Sequence, residues 1–386
     1  MRAALRHVPS LLVKARPAHL TFFVTRRCNA ACGFCFYAEE RDRAGGAPEL
    51  SLDEIRRVAR SMGPLAWVLF SGGEPFLRAD LAAVGQAFHD ANGAAFLTVP
   101  TNGLLPDAIA ATTAALLRRC PQSVVVVKVS LDGVGSHHDA IRGTPGGFEK
   151  ALRTCDRLAA LARAHPRLEL GVNTVFSREN EARIDEVLDL VAGLDGVRSH
   201  TLTMARGDRG PGGFADVDLE RYRRATARLE ARWGRRSHRF AGAGLKAAQD
   251  RVQHRLVLET LRSGRRPVPC SAGRRSLVLS ERGDVLACEG RRGEPLGNVR
   301  DAGYDVPAVL RSAQALRIRG EIEAGACTCA HECNLLVDVL LNPAMYPRLL
   351  REWARRPGRR GSEEPAADAL ASGAAHDPRA DRRQFA

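Results

Sequence analysis

The sequence predicts an α/β fold built on parallel βα units, followed by a cysteine-rich stretch toward the C-terminus. Two observations carry the first part of that expectation. Six short apolar runs, near 20–24, 66–70, 95–99, 124–131, 168–175 and 198–204, alternate with segments whose apolar residues recur at helical spacing. The fourth run holds Val124, Val125, Val126 and Val127 in succession, as in a parallel strand buried on both faces. Six units fall short of the eight that close a full barrel.

Residues 1–17 read as a lead-in, too short for a domain of their own. Only about 18 residues precede the first strand, so no peptide-recognition domain is expected there. Beyond Gly45 and Gly46, Ser51 and Glu54 form a capping box, and Leu52, Ile55, Val58, Ala59 and Met62 follow at helical spacing. Helices near 78–92, 106–118, 147–164 and 180–193 connect the later strands. A Gly-rich flexible loop at 205–216 then leads to helical patterns at about 217–234 and 244–263, the first with Asp216 or Asp218 as N-cap. An apparent hairpin pairs 276–280 with 285–287 around Arg282, Gly283 and Asp284, and a last helix is expected over 335–355. Residues 356–386 have almost no apolar periodicity and read as a disordered tail.

At 386 residues and 45% hydrophobic content, the chain can bury one large core or two smaller ones. No run of about 18 apolar residues is present to span a membrane. Arg2, Arg6, Lys14 and Arg16 near the N-terminus are not followed by the apolar region and cleavage site of a secretory signal, which points to the cytoplasm. Eight of the ten cysteines cluster, and the chain is no small secreted domain, so metal-bound thiolates in a reducing cytosol fit better than disulfides. Cys120 and Cys155 stand alone in helix-like contexts and read as small buried apolar residues. The formal charge of +14 invites a nucleic-acid partner, but the basic residues are spread along the chain and only 5% of residues are aromatic. An anionic substrate accounts for the charge as well.

Cys28, Cys32 and Cys35 follow the first strand at C-x3-C-x2-C spacing, so one loop can wrap around a single inorganic core. Three thiolates with no fourth nearby suggest an iron–sulfur cube with one iron open. Zinc would want paired C-x2-C knuckles or a nearby fourth ligand, and the nearest upstream histidine, His7, lies across the strand. The stretch also resembles the radical S-adenosylmethionine (radical SAM) superfamily, whose motif has this spacing and an aromatic before the third cysteine, here Phe34. The resemblance implies a partial (β/α)6 TIM-like barrel. It also implies a [4Fe–4S] cluster on Cys28, Cys32 and Cys35, with the open iron chelated by the amino and carboxylate groups of S-adenosylmethionine.

Functional groups on such a scaffold belong at the C-terminal ends of the strands. After the second strand comes Ser71-Gly72-Gly73-Glu74-Pro75. Paired glycines suffice for a tight turn, but they also let backbone approach a ligand, and Glu74 can face a cation. In the family this segment contacts the amino group of S-adenosylmethionine. Thr101 and Asn102 follow the third strand, Ser130 and Asp132 the fourth, and Asn173 lies in the fifth. Singly these are turn chemistry. The resemblance implies that they touch the ribose, carboxylate and adenine of the cofactor, or the substrate. His137, His138 and Arg142 follow the fourth strand in an expected loop, where Arg142 can pair with the cofactor carboxylate in bidentate fashion.

Cys270, Cys288, Cys327, Cys329 and Cys333 form a second set. Neighbouring thiolates left unpaired would repel or oxidise, so an Fe–S cluster or zinc is the physical expectation. The set resembles the SPASM/twitch extension of radical SAM enzymes, with a hairpin and a G-x4-C from Gly283 to Cys288. Five thiols instead of seven imply one auxiliary [4Fe–4S] cluster. Which of Cys327 and Cys329 completes it with Cys333 is left open, with His331 as an alternative ligand.

The implied organisation is a radical SAM barrel over 18–215, a helical bridge over 216–265 and an auxiliary-cluster module over 266–355. The implied activity is reductive cleavage of S-adenosylmethionine to a 5′-deoxyadenosyl radical that abstracts hydrogen from a peptide or small metabolite. The net outcome would be oxidation or rearrangement assisted by the auxiliary cluster, with flavodoxin or ferredoxin as electron donor. An RNA-modifying radical SAM enzyme and a non-catalytic electron-transfer Fe–S protein are the alternatives.

Overall fold

The computed structural model describes residues 16–355 apart from 43–44, 46, 208–211, 234–239, 241 and 326. The expected lead-in and tail therefore lie outside the described residues, except for residues 16 and 17, and part of the Gly-rich loop does too. Strand β1 (His19–Thr25) is followed by α1 (Ala38–Asp42), α2 (Leu52–Met62) and β2 (Trp67–Gly72). Then come α3 (Leu81–Asn92), β3 (Phe96–Thr101), α4 (Pro106–Arg119) and β4 (Val124–Ser130). Next are α5 (Ser136–Arg142), α6 (Gly147–Ala164), β5 (Leu168–Phe176), α7 (Ile184–Gly193) and β6 (Ser199–Met204). Helices α8 (Leu219–Trp233) and α9 (Ala243–Ser263) lead to β7 (Ser276–Leu279), β8 (Asp284–Leu286) and β9 (Gly297–Asn298). The described chain ends with α10 (Val306–Arg311), α11 (Ala313–Glu323), α12 (Glu332–Leu341) and α13 (Tyr346–Ala354).

All nine strands form one sheet in the order β6-β5-β4-β3-β2-β1-β7-β8-β9. Strands β1 to β6 are parallel, β7 adds to β1 in parallel, and β8 and β9 turn back antiparallel. The strand pairing thus runs across residue 266, and one hydrophobic core joins Leu20 of β1 to Leu277 of β7 and Leu335 of α12. Phe22, Phe70 and Phe88 sit at its centre, Phe88 lying 6.0 Å from each of the other two rings.

The four valines of β4 are not equally buried. Val125 and Val127 are fully enclosed beneath the helices, while Val124, Val126 and Lys128 are half-buried on the other face. That less buried face is the interior of the curved sheet, where Lys246 and Asp250 of α9 come within electrostatic reach of Lys128. The last predicted helix is broken at Asn342, where Pro343 opens a 3₁₀ turn over Pro343–Met345 because it has no N–H to continue the ladder. Among the described residues no helix is long and apolar enough to cross a membrane.

Candidate active site

The cysteine loop leaves the C-terminal end of β1 and is gripped first by the segment after β2. Gly73 N donates to Thr25 O at 2.8 Å, and Glu74 N donates to Arg27 O at 2.8 Å. A Cβ on Gly72 would sit 2.3 Å from Thr25 O, and one on Gly73 2.1 Å from Arg27 O. The backbone these glycines admit so closely is the cysteine loop itself. The Glu74 side chain is buried and accepts from Thr101 Oγ1 at 2.9 Å, Asn102 N at 2.7 Å and Phe76 N at 3.2 Å. It ties β2 to β3, and burial pushes its carboxyl up to about 7 while the Arg142 charge pulls it down. Pro75, also buried, opens the 3₁₀ turn that follows.

Asn102 carries the tie to the sulfur. Its Nδ2 lies 3.9 Å from Cys28 Sγ and donates to Asn29 Oδ1 at 2.7 Å. Burial raises the Cys28 thiol, the Ala30 N–H lowers it, and Glu74, Cys32 and Cys35 raise it further, so the three thiols share one electrostatic neighbourhood.

A second grip comes from beyond β4. Asp132 is fully buried, accepting from Arg142 Nε at 2.5 Å and from Val175 N at 2.7 Å. Arg142 Nη1 lies 3.6 Å from Cys32 Sγ, and its guanidinium stands 5.4 Å from the Phe34 ring centre. Both carboxylate oxygens of Asp132 are therefore engaged inside the protein, and the residue braces Arg142. Arg142 is not in a loop but ends helix α5, whose carbonyls dock on the cysteine loop through Ala31 N to Arg142 O at 3.1 Å and Gly33 N to Ile141 O at 3.4 Å. Gly143 makes this possible: its φ is +59°, and a Cβ there would lie 2.6 Å from Ala31 O. Ser130 and Asn173 stand in register across β4 and β5, on the sheet face that also carries Lys128.

The second cysteine set divides. Cys288 lies within electrostatic reach of Cys327 and Cys329, and Cys270 within that of Cys329. Arg266 Nη1 donates to Cys329 O at 3.0 Å and points at Cys329 Sγ at 3.8 Å, while its other arm pairs with buried Asp338. Cys333 stands apart. Burial raises its thiol, and the charges around it are Arg206, Glu332 and Lys128. Helix α12 begins at Glu332, which accepts from Met204 N at 2.8 Å, and this anchors Cys333 near the end of β6. His331 Nε2 meets Glu289 Oε2 at 3.2 Å, and Arg206 pairs with the same carboxylate. Among the described residues, Glu289, His331 and Cys333 are the group of three possible ligands whose donor atoms all lie within 4.8 Å of one another. The Arg206 guanidinium already holds that carboxylate and argues against a cation there.

A thiol loop at the end of the first strand of a parallel sheet, clasped by the ends of its neighbours, defines an α/β protein with a three-cysteine loop on a barrel-like scaffold. Residues 22–191 match the family described as Radical SAM superfamily. It is similar to the pre-heme d1 synthase of Dinoroseobacter shibae, 30% identical over 238 residues that cover 58% of this chain and 53% of that protein. It is also similar to the PqqA peptide cyclase of Rhodopseudomonas palustris, 26% identical over 339 residues that cover 81% and 82%. The match thus spans about half the length of the first relative. The structure resembles native anSMEcpe with bound AdoMet, at a TM-score of 0.55 and 15% identity over 88% of this chain and 100% of that one. That likeness agrees with the expected partial barrel, here extended by β7 to β9.

Proposed function

We propose that this chain is a radical SAM enzyme that binds a [4Fe–4S] cluster on Cys28, Cys32 and Cys35 and cleaves S-adenosylmethionine reductively. The observation that carries the reading is the pair of N–H groups turned toward the thiols, Asn102 Nδ2 toward Cys28 and Arg142 Nη1 toward Cys32. Such donors are what sulfur ligands of a cluster accept and what tunes its potential. Bound there, the cluster would supply the electron that splits S-adenosylmethionine into methionine and the 5′-deoxyadenosyl radical that takes hydrogen from the substrate. Glu74, Thr101 and Asp132 hold the loop from beneath. Ser130 and Asn173 offer hydrogen-bonding groups on the interior sheet face, where cofactor and substrate would be oriented and shielded from water.

Cys270, Cys288, Cys327 and Cys329 are the set proposed for an auxiliary [4Fe–4S] cluster. Zinc at Zn–S of about 2.3 Å needs ligand sulfurs about 3.8 Å apart, closer than three sulfurs of either cysteine set come. Four thiolates would close that site, which suits passing an electron better than holding substrate. The relatives are named for a peptide and for a heme precursor, so a peptide or a small metabolite is the substrate class. A flavodoxin or ferredoxin would donate the electron. Ten cysteines free of disulfides suit the cytoplasm.

Anaerobically reconstituted protein should form 5′-deoxyadenosine from S-adenosylmethionine and dithionite, and Cys32→Ala should abolish it. No product from the wild type would refute the reading. Iron analysis separates the second set: Cys329→Ala should lose one cluster's iron, and Cys333→Ala should keep it.

A further inference from the structure

The interior face of the sheet carries Lys128, a cation with no carboxylate in direct contact among the described residues. Lys128 is half-buried there, two residues before Ser130 on β4. Its Nζ donates to Thr201 Oγ1 at 2.6 Å, and among the described residues no carboxylate lies within 4 Å of it. The acid whose charge bears on it, Asp250 of α9, is paired directly with Lys246. Cys333 and the buried imidazole of His200 are further ionisable groups within electrostatic reach of it. Across the sheet Lys128 pairs in register with Gly171, where a Cβ would fall 2.6 Å from Ser199 Oγ and 3.4 Å from Lys128 Cγ. The glycine leaves the lysine stem room to lie over β5 toward β6.

A half-buried ammonium without an anion costs stability, and proteins retain such groups where a ligand supplies the missing charge. We propose that Lys128 and Thr201 anchor a carboxylate of the substrate inside the barrel. The ammonium keeps N–H groups to spare, and the Thr201 hydroxyl, which accepts from Lys128, has its own proton to give. One ammonium and one hydroxyl match the two oxygens of a planar carboxylate and leave a phosphate short of donors. This inference rests on the reading that the interior face of the sheet receives the substrate. Burial, followed by Lys246, pushes the Lys128 ammonium down to about 8, which keeps it charged at neutral pH and readily modified just above.

The chain has four lysines, so labelling can be read residue by residue. The test is reductive methylation of the full chain at pH 8 under anaerobic conditions, with peptide mass spectrometry and exposed Lys150 as internal reference. Propionate at about ten times its dissociation constant should slow labelling of Lys128 about tenfold relative to Lys150. Propionamide should have no effect, and inorganic phosphate should protect less than propionate. Equal labelling with propionate and propionamide, protection by phosphate as strong as by propionate, or a Lys128 that never labels would each overturn the proposal. No turnover is needed. Absence of 5′-deoxyadenosine from the wild type would therefore refute the enzymatic reading while leaving the propionate result standing.

Discussion

Arg142 shows how much one side chain can carry in this site. It neutralises a fully buried Asp132, turns an N–H toward Cys32, and lies over Phe34. Arg142→Met would leave the Asp132 carboxylate buried without its partner, a loss of about 3–5 kcal/mol. Urea denaturation of the anaerobic protein should show that drop, with iron content falling alongside. Lys128 should behave in the opposite way. Its folded pKa of about 8 lies below the usual lysine value, so between about 8 and 10.5 the unfolded chain binds the extra proton and wild-type stability rises with pH. Lys128→Met should therefore be more stable than the wild type at pH 7, by on the order of 2 kcal/mol. That advantage should shrink as the pH approaches 10, measured by urea midpoints at both values. A residue retained against stability is what a ligand-binding role leaves behind.

At the scale of elements, two glycines flanking the end of α5 and the start of α6 separate local strain from contact. Gly143 and Gly146 both have positive φ, +59° and +69°, but only Gly143 faces another backbone. Gly146→Ala should cost about 1 kcal/mol and keep the iron. Gly143→Ala should cost more and lose iron, because the alanine methyl would push Ala31 and the cysteine loop away. Thermal melts with iron assays on both variants check this. The same elements mark how far the sequence could be read. The six parallel strands were legible within about two residues, because each is a compact apolar run between helical patterns. Helix α5 was not, since Ser136–Arg142 is seven largely polar residues with no apolar period, and α10 and α11 were likewise missed. The second cysteine set was visible as a cluster, but spacing along the chain cannot reveal that α12 starts at Glu332 and carries Cys333 off toward β6. Lys128 stood in plain view among valines, yet only the strand pairing shows that it shares the interior face with Ser130 and Asn173. Glu74 and Asp132 were located correctly at strand ends. Their inward direction depends on donors from other units, which no local pattern encodes.

For the whole molecule, the decisive feature is the sheet that passes without a break from β6 through β1 to β9. A chain ending at residue 265 would lose the β7 partner of β1 together with core residues Leu277, Leu279 and Leu335. It should not yield soluble folded protein, which expression followed by gel filtration would show; a monodisperse fragment would contradict the single-core description. Capping contacts reinforce the seam. Glu54 of the Ser51 capping box also accepts from Arg300 Nε at 2.7 Å and Tyr304 Oη at 2.7 Å, binding α2 to the segment after β9.

The pairing of β1 with β7 also sets an order of events during biosynthesis. About 250 residues separate the two strands, and ribosomes add about 5–20 residues per second, so one edge of the first strand stays unpaired for roughly 13–50 s. Throughout that interval the nascent chain displays an apolar strand edge beside three reactive thiols. Iron loading of the first loop and closure of the sheet thus compete in time, and the protein should depend on chaperone protection until β7 emerges.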